Sequence, residues 1–191
     1  MTTQDRRVKR TQQLLVKALI ALTLEREYDK ITIRDITERA EVGYATFFRH
    51  YPDKDALLRD VLDVVLNELM TRLPDLSAHS DAAIVGTLLF HYVEEHEEVI
   101  RVLLRQSSSS LVQEAIAQSV QNILRQRKAR PESPVPLEIA AYHIVTSSIS
   151  LIQWWLQQGR PYPPERMGII YRELIVQPTS NVAFTLENIE G

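Results

Sequence analysis

The stretch Thr32–Lys54, TIRDITERAEVGYATFFRHYPDK, constrains this chain more than any other. Thr32 offers a hydroxyl suited to cap a helix, and Asp35, three residues on, stands where a capping box has Glu or Gln. Ile33, Ile36 and Ala40 then recur at helical spacing. Glu41-Val42-Gly43 interrupts the pattern, and a second short helix is expected from Tyr44 to about His50. Pro52 ends it. Asp53 is placed to cap a third, longer helix that carries Leu57, Leu58, Val61, Leu62, Val65, Leu66 and Leu69. Two short helices about a tight three-residue turn are the plan of a helix-turn-helix. Ile36, Ala40, Val42 and Phe47 are spaced to form the small core that holds them across each other. The outer face of the second helix offers Tyr44, Ala45, Thr46, Arg49 and His50, and it carries no acid.

These residues resemble the DNA-binding domain of the TetR family of bacterial transcriptional regulators, without gaps from about Arg10 to Leu66. The most specific part, Thr46 to Lys54 (TFFRHYPDK), is similar to the family signature T-F-Y-R-H-F-x-x-K. Three positions depart from the family pattern. Glu41 stands where the turn commonly has Gly, and a left-handed Glu there costs about 1–2 kcal/mol. Thr37 replaces a common Ala. Phe48 replaces a common Tyr, whose hydroxyl often reaches a phosphate. By resemblance, Thr32, His50, Tyr51 and Lys54 match positions where family members meet the phosphate backbone, contacts that set register without reading sequence. A helix-turn-helix aims the start of its second helix at base edges in the major groove. Tyr44, Ala45 and Thr46 occupy that start, and Ala45 and the Thr46 methyl suit a thymine methyl. Phe48 and Arg49 complete the DNA-facing set, although Phe48, like Phe47, also reads as core. One recognition helix reads only a few base pairs, so a homodimer on a palindromic double-stranded DNA operator is expected.

The rest of the composition fits an all-α protein. Of 191 residues, 45% are apolar and only 5 are Gly, and strand-type alternation is scarce. The expected architecture is an N-terminal three-helix helix-turn-helix domain over 1–52, a C-terminal six-helix ligand-binding and dimerisation domain over 53–176, and a loosely held tail over 177–191. Cysteine is absent, which leaves no disulfide or thiolate chemistry and fits a reducing cytoplasm. No apolar signal run follows the charged N-terminus. The net charge of −3 is unevenly spread. Through Tyr51 there are 10 Lys and Arg against 7 Asp and Glu; the remainder holds 12 against 18. A basic end on an acidic body suits one DNA-facing end. A first helix over about 5–27 opens with Arg6, Arg7, Lys9 and Arg10, against the helix dipole, which makes sense if phosphate is their partner.

Beyond Pro74 a loop is expected at 75–80, then helices at about 81–95, 97–105 and 111–127, the last opened by the serine run 107–110. Ile139–Leu156 has no charge over 18 residues, a length that invites a membrane span. Tyr142, His143, Thr146, Ser147, Ser148, Ser150 and Gln153 make it too polar for one, so it reads as a helix buried on several sides. No membrane partner is expected. Gly159 to Pro164 stops it, and a last helix follows from Glu165 to Val176.

The resemblance implies that the final two helices pair with their copies as a four-helix bundle, with Leu151, Trp155, Tyr171 and Leu174 in the interface. Adjacent tryptophans sit about 100° apart on a helix, so one of Trp154 and Trp155 faces the partner and the other the protein's own core. The segment IQWWLQQGRPYPPERMGIIYRELI resembles one subgroup of the family. The resemblance also implies a cavity for an unknown small-molecule effector, with Phe90, His91, Tyr92, His96, Thr146, Ser150 and Trp154 as candidate lining. His91 and His96 are five residues apart and do not share a face as i and i+4 would, so no metal and no cofactor are expected. Catalysis has no foothold: G-x-S-x-G, H-E-x-x-H and phosphate-gripping glycine loops are all missing. The alternative to a DNA-binding repressor is a helix-turn-helix co-regulator that works only through protein contacts. Salt separates them, because only phosphate binding weakens steeply as counterions compete.

Overall fold

The computed structural model describes residues 3–73, 81–105 and 110–185. They form ten α-helices: α1 (Thr3–Glu25), α2 (Ile33–Arg39), α3 (Tyr44–Phe47), α4 (Lys54–Arg72), α5 (Ala82–Glu95), α6 (Glu97–Arg105), α7 (Ser110–Gln126), α8 (Leu137–Gln157), α9 (Pro164–Tyr171) and α10 (Gln177–Ala183). The fold is all-α, as the sequence led one to expect. An isolated bridge between Ala129 and Phe184 is the strand-like pairing among the described residues. None of their helices is long and apolar enough to cross a membrane. The loop expected at 75–80 and serines 107–109 lie outside the described residues.

The chain divides into two compact units, Met1–Glu68 and Leu69–Gly191. The first ends within α4, not at Pro52. The proline does break the chain, but Leu57, Leu58, Val61 and Leu62 of α4 are buried, and the Tyr28 hydroxyl donates to Asp55 at 2.6 Å. Most of α4 therefore completes the core begun by Leu15, Ala18, Leu19 and Leu22 of α1. Asp53 caps α4 as expected, accepting from the Ala56 N–H at 2.7 Å. Val8, which helical spacing places on the same stripe as Leu15, Ala18, Leu19 and Leu22, is exposed.

In the second unit, α5 and α9 approach backbone to backbone. A Cβ on Gly168 would lie 2.5 Å from the Ala83 carbonyl oxygen and 2.6 Å from the Thr87 nitrogen; one on Gly86 would lie 2.9 Å from the Gly168 Cα. The helices run antiparallel, with His91 meeting Glu165 at 3.1 Å near one end and Arg172 meeting Asp81 at 3.6 Å near the other. Trp155 of α8 is fully buried beside them, edge-on to Phe90 with centroids 5.1 Å apart, and donates to the Tyr162 carbonyl at 2.8 Å. After α8 the chain turns at Gly159 (φ 71°), with the Arg160 N–H returning to the Trp155 carbonyl at 2.8 Å.

Of the tail expected over 177–191, Gln177–Ala183 is helix, while 186–191 lie outside the described residues. Helix α9 runs on through one π turn, Arg172–Val176, into α10. Pro178 hides this continuity in the sequence. Its ring would press on the carbonyl four residues back and it has no N–H to donate. The wider turn before it, closed by the Gln177 N–H on the Arg172 carbonyl, relaxes that clash. The Thr179 hydroxyl serves the Ile175 carbonyl at 2.7 Å. Ala183 and Phe184 are buried. The segment is tied to the loop before α8 by Arg130 N–H to the Ala183 carbonyl (2.9 Å), Thr185 N–H to the Lys128 carbonyl (3.0 Å) and the Ser133 hydroxyl to the Val182 carbonyl (2.9 Å).

The α5–α9 contact has no room for a side chain at Gly168. Gly168→Ala is expected to destabilise the protein by about 1–3 kcal/mol, because besides the Thr87 hydroxyl the new methyl meets the Ala83 oxygen and the Thr87 nitrogen, backbone atoms that cannot swing aside. Thermal unfolding followed by circular dichroism checks this.

Candidate nucleic-acid interface

The helix-turn-helix is built by local bonds that the sequence announces. The Asp35 N–H donates to the Thr32 hydroxyl oxygen at 3.2 Å, and the Thr32 N–H donates to the Asp35 carboxylate at 2.8 Å, so the capping box closes on Asp in place of Glu. The Thr32 hydroxyl also donates to that carboxylate at 2.7 Å. These Thr32 donors, with Arg26 at 3.1 Å, hold the Asp35 carboxyl below the usual carboxylate range. The stability it contributes is present above the ordinary carboxyl pKa and is lost as pH falls through the lowered value. At the other end of α2, the Val42 N–H reaches the Thr37 carbonyl at 3.0 Å and the Glu41 N–H the Glu38 carbonyl at 3.2 Å. This pair of bonds needs a left-handed residue between helix and exit, and Glu41 takes it, at φ 55°. Thr37 is buried with its hydroxyl on the Arg34 carbonyl at 3.0 Å.

The second helix is α-helical only over Tyr44–Phe47 and continues as tight turns, with Arg49 and His50 N–H groups bonding the Thr46 and Phe47 carbonyls at 3.1 and 2.9 Å. Phe47 is fully buried. Its neighbours consequently face out: Ala45 and Arg49 are exposed, Thr46 and His50 half-buried, and Tyr44 and Phe48 are 53% and 46% exposed. The reading of Phe48 as core does not hold. It lies a third of a turn from Phe47 and touches that ring only edge-on, with centroids 5.5 Å apart.

Two proposed phosphate contacts are occupied inside the protein. Tyr51 is buried, and its hydroxyl donates to Asp60 of α4 at 2.5 Å; burial and this carboxylate push its pKa up. Lys54 donates to the Tyr28 and Ile31 carbonyls at 2.9 and 3.1 Å and sits 4.3 Å over the Tyr28 ring. Both side chains therefore fasten the helix-turn-helix to α4 and to the single 3₁₀ turn Tyr28–Lys30. Asp60 is the carboxylate that takes the Tyr51 hydroxyl, and Asp55 takes that of Tyr28. The sequence reading missed both, since an acid at the margin of an apolar stripe looks like an ordinary surface residue. Thr32 and His50 stay partly or wholly open to solvent.

The candidate effector residues divide by position. Phe90 and Tyr92 are core. His91 pairs with Glu165. His96 bonds the Tyr92 carbonyl at 3.0 Å and stacks on its ring at 4.3 Å. Thr146, Ser150 and Trp154 follow one another along the outer side of α8, the Thr146 hydroxyl on the Tyr142 carbonyl at 2.8 Å. Phe90 packs on Trp155, so Trp154 is no wall to it. The expected bundle residues need the opposite exchange. Trp155 and Tyr171 belong to the unit's own core, and Trp154, 43% exposed, takes the outward place. Leu151 is half-buried and Leu174 is 68% exposed. Ile139, Tyr142 and Trp154 of α8 and Leu174 and Val182 of the last helix are exposed large apolar side chains, with Thr146 and Ser150 between Tyr142 and Trp154 on the outer side of α8. Among the described residues no group of three His, Asp or Glu side chains could hold a metal ion.

This arrangement meets its counterparts in other proteins. Residues 15–61 match the family described as bacterial regulatory proteins, tetR family, and residues 85–177 match a transcriptional regulator C-terminal region of that family. The chain belongs to the TetR family of bacterial transcriptional regulators. It is 25% identical over 183 residues, 90% of its length, to the uncharacterized HTH-type transcriptional regulator YxbF of Bacillus subtilis (strain 168). That alignment takes in 45% of YxbF, so the chain spans under half the length of the curated relatives it matches. In fold it is similar to a TetR transcriptional regulator from Streptococcus agalactiae 2603V, with TM-score 0.69 and 21% identity over 90% of this chain and 97% of that one. It is also similar to SmeT, the repressor of the Stenotrophomonas maltophilia multidrug efflux pump SmeDEF, with TM-score 0.66 and 16% identity over 91% and 90%.

If Tyr51 is a fastener, Tyr51→Phe costs about 1–3 kcal/mol of stability, because Asp60 loses its donor. The salt dependence of DNA binding stays unchanged. Denaturant unfolding and a salt titration together check both halves.

Proposed function

We propose that this chain is a cytoplasmic repressor that binds a palindromic operator as a homodimer and releases it on binding a small molecule. The observation that carries the reading is the outward face of the second helix. Phe47 anchors that helix in the core, and Tyr44, Ala45, Phe48 and Arg49 project from it without an acid among them. Such a face suits a polyanion, and a short helix so mounted can enter a major groove. Arg6, Arg7, Lys9 and Arg10, all exposed, add cations on the same unit.

The exposed apolar side chains of α8 and the last helix, Ile139, Tyr142, Trp154, Leu174 and Val182, support the homodimer, since a second copy would cover them. Release by an effector requires a ligand whose affinity differs between the DNA-bound and free states; the second unit is the part available for it.

The test is binding of the purified protein to operator DNA recovered by random-site selection, compared with scrambled DNA. Selective binding that weakens about a thousandfold or more between about 50 mM and 200 mM salt supports the proposal. Salt-insensitive association, or none, favours a co-regulator acting through protein contacts. Separately, Trp154→Glu is expected to give monomers by light scattering with helical content intact, and Trp155→Glu to unfold the second unit. A dimer that survives Trp154→Glu places the interface elsewhere.

A further inference from the structure

The second helix presents an apolar edge that its own unit leaves open. Tyr44 and Phe48 stand one turn apart with ring centroids 5.3 Å apart, crossed at 68°. Phe47, fully buried, braces Phe48 from behind at 77°. The two rings are thus held in a fixed edge-to-face pair, with the exposed methyl of Ala45 beside them. Phe48 has no polar atom and cannot serve a phosphate or a base edge by hydrogen bonding. Its neighbour Arg49 is exposed, so charge directs this edge toward a polyanion. The major groove shows such an edge donors, acceptors and one apolar group, the C5-methyl of thymine.

We infer that Tyr44 and Phe48 form a methyl-reading edge that recognises thymine C5-methyl groups in the operator. The inference rests on the DNA-binding reading above and names what its central face reads. It makes Phe48 a specificity residue, a role its missing hydroxyl does not weaken. Deoxyuridine pairs as thymidine does and lacks only the methyl, so it isolates this contact.

The experiment replaces each thymine of the selected operator by deoxyuridine, one symmetry-related pair at a time, and measures binding of the full chain by anisotropy. One or two pairs should lose about tenfold in affinity, the effect of leaving two methyl groups unburied, and the others nothing. With Phe48→Ala, thymine and uracil operators should bind alike at those positions; a uracil penalty that persists in this variant overturns the role given to Phe48. Tyr44→Ala makes the same comparison should Phe48→Ala not fold by circular dichroism. Selective binding with no uracil-sensitive pair overturns the methyl reading and leaves the regulator standing, as does a small loss spread over every thymine. Absence of any selective binding overturns both.

Discussion

The burial of Phe47 is the interaction on which the helix-turn-helix unit depends. A fully buried Phe side chain contributes about 1.5–3 kcal/mol relative to an exposed one, a large fraction of what holds a helix of one turn in place. It also sets direction. Successive side chains on a helix are about 100° apart, so placing Phe47 inward turns Tyr44, Ala45, Phe48 and Arg49 away from the core. The face proposed to read DNA is then a consequence of which residue is buried. The Tyr51–Asp60 bond ties the end of this short segment to the longer α4, and the Tyr28–Asp55 bond with Lys54 on two carbonyls ties α4 to the turn before α2. Helix α3 alone is too short to be stable in water; these ties are what make its orientation definite.

The second unit is organised by a different constraint, the absence of side chains at Gly86 and Gly168. With no Cβ there, α5 and α9 close to backbone contact, and the ion pairs at either end are brought within reach. Trp155 fills the space beside that crossing. Once it is seated against Phe90 and the Tyr162 carbonyl, Trp154 is turned outward, onto the face of α8 at which the homodimer is proposed.

Much of the first unit was legible because its signals are local. Thr32 and Asp35 lie three residues apart and form their box without help from the rest of the fold. The turn through Glu41 is likewise written into adjacent positions, and its left-handed residue is there despite the cost, since the two carbonyls behind it require it. The unit boundary was not legible, because Pro52 marks a break in the helix while the core runs past it into α4. Nor was the end of the chain. Pro178 signals a stop, and only the π turn ahead of it lets the helix continue.

By itself the sequence determined the all-α class, the helix-turn-helix, and the caps at Thr32 and Asp53, each settled by side chains a few residues apart. Tertiary structure alone decided which tryptophan is core, that Phe48 faces solvent, and that Tyr51 and Lys54 bond within the protein. It also separated the candidate effector residues. The physical reason is distance in the chain: Tyr28 meets Asp55, Gly86 meets Gly168, and Phe184 meets Ala129. Helical period says that a residue lies on a stripe, but its partner across the core is chosen only when separate helices pack.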